Sequence, residues 1–278
     1  MGMILAKRFG VPSIASFHLD MARITTFYRL GFLRRPVARL STWVFNRANY
    51  ALAPSRSVQR EMLAAGVRQV GWWRRGVDAE QFHPSFRDAA MRDLLSDGHP
   101  DDIILLYVGR LAVEKQIQQI RSVLDTVPGT RLALVGGGPY QSELEKHFAG
   151  YPVKFAGYMH GATLSRAYAS ADIFTFPSAF ESFGLVLLEA MASGLPLVSS
   201  RVGGAQDLVT EGVSGYTFDV DDVASMVEQV RTMVCEPGRL RRMGLAAREA
   251  AERQSWPHIM DELIDCYEAV LAGRPSPI

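Results

Sequence analysis

From Asp101 onward the sequence alternates strand-like runs with helix-like segments, and this alternation constrains the fold more than any other feature. The runs are residues 103–108, 131–135, 153–156, 173–176 and 195–199, with 216–218 as a short edge. Between them lie segments such as 142–148 and 164–169, and helices are predicted over about 223–234 and 238–253. An α/β chain with a doubly wound sheet follows. Nearly every strand ends in glycine or a small residue: Gly109, Gly136-Gly137-Gly138, Gly157, Ser178, Ser200. Ligands of open α/β sheets bind beyond the carboxyl ends of the strands, so these residues mark the expected binding rim.

One stretch of that rim carries two isolated acids. Between Pro177 and Gly194 the only ionisable side chains are Glu181 and Glu189, and Glu189 sits inside Leu-Val-Leu-Leu-Glu-Ala-Met-Ala. A carboxylate alone in apolar surroundings costs several kcal/mol or stays protonated, so Glu189 needs a partner. A backbone group or an arginine would satisfy it, and so would a ligand hydroxyl. The run 172–176 and the loop after Pro177-Ser178 predict a helix beginning near Gly184. The N–H groups of Phe183, Gly184 and Leu185 at that helix start favour an anion such as a phosphate. A helix start for phosphate and two acids for hydroxyls together suggest a nucleotide-sugar site.

Other rim motifs point the same way, although each has a plainer reading. Arg110 and Lys115 follow the first strand of this unit and could both reach a diphosphate, one as a fork and one as a point charge. Surface cations also serve solubility alone. Gly136-Gly137-Gly138-Pro139 lets backbone approach a ligand closely, as can Gly203-Gly204, but glycine-rich turns are common. Neither a GxGxxG fingerprint nor a Walker lysine is present. Asp219-Val220-Asp221 is read as a turn and helix cap far from the rim rather than a metal site. The six histidines share no ligand spacing, so no metal is expected. His18 differs from the rest because it ends a strand, where a polar side chain can enter a cleft; a satisfied structural histidine is the alternative.

Ahead of residue 98 the pattern is thinner. Strands are read at 13–17 and 49–53, a helix at about 57–65, and an extended piece at 70–78. From Met21 to Arg60 there are eight arginines and no Asp or Glu, interleaved with aromatics such as Phe32 and Trp43. That pattern suits an anionic membrane surface; a nucleic-acid patch and a face paired with other acids are the competing readings. A net charge of +1 argues against a general polyanion binder, so no nucleic-acid partner is expected. Two cysteines, Cys235 and Cys266, lack metal spacing and suit a reducing compartment. No run approaches the roughly 18 apolar residues of a membrane span, and no signal peptide is evident. A last amphipathic helix runs from Trp256 to about Leu271, before a tail, Arg274-Pro275-Ser276-Pro277, expected to be disordered.

Taken together, the pattern resembles the retaining, GT-B-fold glycosyltransferases of family four. The residues that carry it are Ser16-Phe17-His18, Gly109-Arg110 with Lys115, Gly136 to Pro139, Phe155 to Tyr158, Pro177-Ser178, Glu181-Ser182-Phe183-Gly184, Glu189 to Ala192 and Gly203-Gly204. Glu181 and Glu189, with seven residues between them, match the family's EX7E motif. Trp72 to Asp78, Gly98-His99-Pro100 and Leu144 to Gly150 are most similar to the sulfoquinovosyltransferase branch. The resemblance implies a complete Rossmann-like donor domain at 99–254, a partial amino-terminal domain and linker at 1–98, and a crossover helix and tail at 255–278. It is partial because the family's glycine-rich loop and first strands do not precede His18 here.

The resemblance also implies roles. Arg110 and Lys115 bind the donor diphosphate and stabilise the leaving charge. Glu181 contacts the donor sugar, Glu189 the ribose, and Gly137, Gly138, Ser182, Phe183, Gly184 and Leu185 line the nucleotide-sugar site. Tyr158 lies beside the base and His18 near the reacting sugar. No protein nucleophile, cofactor or metal is needed. The donor is a UDP-sugar and the acceptor diacylglycerol or another lipid, on a cytoplasmic, peripheral membrane protein. A sulfonate on the sugar would want a cation, for which Arg74 and Arg75 are candidates. Another glycolipid-forming hexosyltransferase, or a non-catalytic nucleotide-sugar-binding remnant, are the alternatives. Three positions depart from the family's usual residues: Leu19 after the histidine, Gln116 where glycine follows the lysine, and Asp207 in place of glutamate.

Overall fold

The computed structural model describes residues 2–27, 30–236 and 238–278. It divides into two compact units, Met1–Gly76 with Trp256–Ile278, and Val77–Ser255.

In the first unit α1 (Gly2–Phe9), β1 (Ile14–Ser16), α2 (Met21–Phe27), α3 (Arg34–Phe45), β2 (Tyr50–Ala53), α4 (Arg56–Ala64) and β3 (Val70–Trp72) follow in turn. The three strands form a parallel sheet in the order β1-β2-β3, with Ala15 opposite Ala51 and Leu52 opposite Gly71. Helix α4 begins where its cap predicts: the Ser55 hydroxyl accepts from the Val58 N–H at 3.2 Å. Helix α1 occupies a stretch for which the sequence predicts no element, whereas α2 and α3 fall in the 21–60 stretch whose basic and aromatic residues are at helical spacing, without predicted bounds. The reason is clearest at α3, which starts after Leu33 with no capping side chain and holds Pro36 in its first turn, where proline is tolerated.

In the second unit the chain runs through α5 (Ala89–Leu95), β4 (Ile103–Val108), α6 (Arg121–Thr126), β5 (Thr130–Val135), α7 (Gln141–His147), β6 (Val153–Gly157), α8 (Gly161–Ser170) and β7 (Ile173–Phe176). It continues with α9 (Leu185–Ala192), β8 (Leu197–Ser200), α10 (Ala205–Leu208), β9 (Gly215–Phe218), α11 (Val223–Cys235) and α12 (Arg239–Glu252). The strands form a six-stranded parallel sheet in the order β6-β5-β4-β7-β8-β9. Its central strands β4 and β7 are buried along nearly their whole length and apolar except for Thr175, because helices cover both faces. Ile104 to Tyr107 and Ile173-Phe174 expose no surface, and each such side chain stabilises the fold by about 1.5–3 kcal/mol. Residues 77–98 count with this unit, since Val77, Phe82, Met91 and Leu95 are buried in its core.

The strand order matters for function. From β4 the chain steps outward through β5 and β6, then crosses back to place β7 on the other side of β4. The carboxyl ends of β4 and β7 therefore open onto the switch point, where open α/β sheets bind ligands.

The last helix, α13 (Trp256–Leu271), belongs to the first unit. Trp73 Nε1 donates to the Ile259 carbonyl at 3.1 Å, Arg74 pairs with Glu262, and Ile259, Leu263 and Cys266 are buried with Leu52 and Trp73. The tail expected to be disordered is held instead, as the Tyr50 hydroxyl donates to the Ile278 carbonyl and Ile278 packs on this cluster. Among the described residues no helix is long and apolar enough to cross a membrane.

Candidate functional site

The loops after β4 and β7 meet at the switch point. The Ala179 N–H donates to the Glu114 carbonyl at 2.9 Å, which ties the turn bearing Arg110 and Lys115 to the turn bearing Glu181. Lys115 Nζ stands 2.9 Å from Glu181 Oε2 and 3.4 Å from the Phe180 carbonyl, and 5.0 Å from the centroid of the Phe176 ring. The other carboxylate oxygen, Oε1, accepts from the Ser182 and Phe183 N–H groups at 3.1 and 3.3 Å. An ammonium and two backbone donors thus converge on one carboxylate. Donors of this kind can also hold an external anion.

Arg110 is half exposed and pairs with Glu114, whose side chain is buried. Only one Glu114 oxygen takes part; Oε2 is buried without a hydrogen-bond partner. Beneath them the Tyr107 hydroxyl donates to the Arg110 carbonyl at 3.0 Å. Burial first, then the charges of Glu181 and Glu114, push the Tyr107 phenol well above its ordinary pKa, which keeps it neutral.

Helix α9 starts at Leu185, one residue beyond the position expected, with Gly184 as N-cap at φ 88°. Glu189 lies on its second turn, and its partner is neither backbone nor arginine. The Tyr168 hydroxyl of α8 donates to Glu189 Oε2 at 2.8 Å. Burial raises the Glu189 pKa, and the tyrosine bond opposes that rise without cancelling it.

The two glycine clusters have a role that the sequence reading did not assign. A Cβ on Gly136 would fall 2.0 Å from the Gly109 carbonyl oxygen, and one on Gly138 would fall 2.3 Å from that of Leu111. On the other flank, Gly203 and Gly204 would meet the Glu181 and Phe183 carbonyl oxygens at 1.7 and 1.9 Å. The glycines let loop approach loop, and so fix the path of both ligand-facing turns. Gly203→Ala is expected to displace residues 181–183 and to cost about 1–3 kcal/mol, read as a lowered melting temperature together with loss of nucleotide binding in titration. Gly137 faces Tyr158, whose exposed ring would lie 2.7 Å from an added Cβ and is nearly parallel to that of His160.

The Asp219-Val220-Asp221 reading needs correction. The cap of α11 is Asp222, which accepts from the Ser225 N–H at 3.0 Å, while Asp219 pairs with Arg201 at 3.3 Å. Asp221 does not lie far from the rim. It accepts from Gln116 Nε2 at 2.8 Å and Gln119 Nε2 at 2.9 Å, beside Lys115. Among the described residues no cluster of three or more His, Cys, Asp or Glu could hold a metal.

The structure therefore gathers Arg110, Lys115, Glu181, Ser182, Phe183, Gly184 and Leu185 at one switch point, with Gly137, Gly138 and Tyr158 on its β5–β6 flank and Glu189 on α9. His18 belongs to the first unit, where Arg75 Nη2 donates to its Nδ1 at 2.9 Å. Burial and then Arg75 lower the His18 pKa, so the imidazole is held neutral with its proton on Nε2. Of the two sulfonate candidates, Arg74 is engaged by Glu262, whereas Arg75 lies over Trp73, 4.3 Å from the ring centroid. Sequence reasoning missed Glu114, Tyr107 and Tyr168. Glu114 had a readable signal, the i,i+4 spacing to Arg110; Tyr168 had none.

Comparison with known proteins places this geometry. Residues 96–250 match the family model for glycosyl transferases group 1, and residues 1–81 match that for glycosyltransferase family 4. A sulfoquinovosyl transferase of Arabidopsis thaliana, SQD2, is 38% identical over 260 residues, covering 91% of this chain and 51% of that protein. A GDP-mannose-dependent alpha-mannosyltransferase of Mycolicibacterium smegmatis is 37% identical over 275 residues, covering 98% of this chain and 71% of that protein. This chain thus spans about half the length of the first relative and more of the second. Among solved structures, Anabaena Alr3699/HepE in complex with UDP and glucose superposes with a TM-score of 0.83 at 21% identity, over 96% of this chain and 74% of that one. That likeness establishes a GT-B type fold. With matches along nearly its whole length, the chain belongs to the group 1 glycosyl transferases, its first 81 residues falling in the family 4 model.

Proposed function

We propose that this chain is a retaining glycosyltransferase that moves sulfoquinovose from UDP-sulfoquinovose to diacylglycerol at an anionic membrane surface. The observation that carries the transferase reading is the convergence of Lys115 and the Ser182 and Phe183 N–H groups, with Arg110 nearby, on an anion seat at the switch point. The similarity to the sulfoquinovosyl transferase SQD2 supports the sugar.

In this reading the donor diphosphate takes the seat that Glu181 now fills, and Arg110 and Lys115 stabilise the charge that develops as the bond between anomeric carbon and phosphate oxygen breaks. Glu181, released, accepts from sugar hydroxyls, and Glu189 accepts from the ribose while keeping its bond from Tyr168. Tyr158 stacks beside the base. The acceptor hydroxyl attacks the anomeric carbon from the face the diphosphate leaves, and its proton passes to the departing phosphate oxygen. The carbon–oxygen bond formed replaces the one broken, configuration is retained, and no residue need act as nucleophile. The resemblance puts His18 near the reacting sugar, with an imidazole that burial, and then Arg75, keep neutral. Membrane contact is supported by α3 and its approach, where Phe32, Leu40 and Trp43 are exposed among Arg34, Arg35 and Arg39.

A second reading, transfer of mannose from GDP-mannose, is favoured by the mannosyltransferase relative, which this chain covers more fully. The test is turnover by the purified chain with UDP-sulfoquinovose, UDP-glucose or GDP-mannose on vesicles of diacylglycerol and phosphatidylglycerol. Sulfolipid formed only from UDP-sulfoquinovose is the expected result. Mannolipid would establish the second reading. Nucleotide binding without turnover of any donor would mean a non-catalytic nucleotide-sugar-binding remnant, and absence of any nucleotide binding would refute all three.

A further inference from the structure

Two residues in left-handed backbone, far apart in sequence, are joined side chain to side chain. Gln116 at φ 48° and Asp221 at φ 70° are two of the three described non-glycine residues with positive φ. The Gln116 amide donates to Asp221 Oδ1 at 2.8 Å, and Gln119 donates to the same oxygen at 2.9 Å. Both amide oxygens, Gln116 Oε1 and Gln119 Oε1, are buried and accept nothing, so the glutamines are held by the carboxylate and by no polar contact of their own oxygens. An L residue at such a φ is unfavourable unless its surroundings fix it.

Gln116 is also the hinge between two 3-10 turns, Val113–Lys115 and Ile117–Ile120. On one side, Ile117 and Ile120 are fully buried; on the other, Lys115 turns back to Glu181. The left-handed residue is what allows the chain to do both within three positions.

We infer that Asp221 is a positioning residue for Lys115, acting through Gln116 and Gln119. It holds the left-handed turn that a glycine would adopt unaided, and so sets where the ammonium stands. The inference rests on the reading of Lys115 as a donor-diphosphate ligand.

The test is calorimetric titration of the full chain with UDP, for the wild type, Asp221→Gly, Gln116→Gly and the double variant. Glycine at 221 removes the acceptor without strain of its own, because glycine takes positive φ freely. Asp221→Gly is expected to weaken UDP binding about five- to tenfold with little change in melting temperature. In the double variant glycine at 116 adopts the turn without a tether, and affinity returns to within about twofold of wild type. An Asp221→Gly variant that binds UDP like wild type overturns the inference and leaves the donor reading intact. Loss without recovery in the double variant also overturns it, since Asp221 then acts on the fold at large. If the wild type itself binds neither UDP nor GDP, the donor reading fails and this inference falls with it.

Discussion

Glu181→Gln is expected to lower turnover by about 10²-fold or more while tightening UDP binding by about fivefold, the equivalent of ~1 kcal/mol. The two effects have opposite signs because, in the proposed reaction, the carboxylate leaves its present position for the sugar. Without ligand it takes Lys115 and the Ser182 and Phe183 N–H groups, so a diphosphate must displace a like charge to enter. Glutamine keeps the shape and removes the repulsion, but cannot give the sugar the charge-assisted contacts of the transfer step. Lys115→Ala should differ in sign on the first count, losing UDP affinity together with about 10²- to 10³-fold in rate. Titration of UDP alongside single-turnover kinetics separates the two variants. If Glu181→Gln weakened UDP binding in step with the rate, the carboxylate would be a direct ligand of the nucleotide and not a placeholder.

Glu189→Gln carries the second large effect, and here stability and binding part company. Its carboxyl has a raised pKa in the folded chain, so deprotonation costs stability. That cost is absent at pH values below the ordinary glutamate range, grows as pH rises through it, and is complete above the folded-state value. A glutamine does not titrate and can still accept from Tyr168. The variant should therefore melt about 2–4 °C higher at pH 7–8, the shift expected for ~1 kcal/mol in a unit of this size. The difference should shrink toward zero near pH 4. UDP affinity should fall about tenfold, because a neutral amide replaces a charged acceptor for the ribose. A melting gain with unchanged UDP affinity would leave Glu189 a buried structural acid and remove it from the site.

The second unit could be read in advance because its information is local. Each strand from Ile103 to Ser200 is a short run closed by glycine or serine, and the predicted spans differ from the observed strands by a few residues at most. The acids of the rim were equally visible, since Glu181 and Glu189 stand alone in an apolar stretch. What stayed hidden depends on contacts between distant positions. Tyr168 and Glu189 are brought together by the packing of α8 and α9, and no spacing rule announces them. Asp221 looked remote from the rim because β9 is an edge strand, yet the turn after it folds back on Gln116. Around α3 the helical spacing was visible but the bounds were not, because an uncapped start and an early proline resemble a break even where a helix forms.

The glycine pairs at 136 and 138 and at 203 and 204 have a consequence for how such a site can change. They set the course of the two turns by close approach to the carbonyls of those turns. Apart from Gln116, whose left-handed turn is tied to Asp221, and Gly184 at positive φ, the side chains at 110–115 and 180–185 can therefore be exchanged without altering the track they are mounted on. A scaffold of that kind lets donor preference drift through ordinary substitutions while the four glycines stay fixed. For this chain, the positions to randomise in a search for new sugar donors are the turn side chains, and the positions to leave untouched are the glycines that hold them.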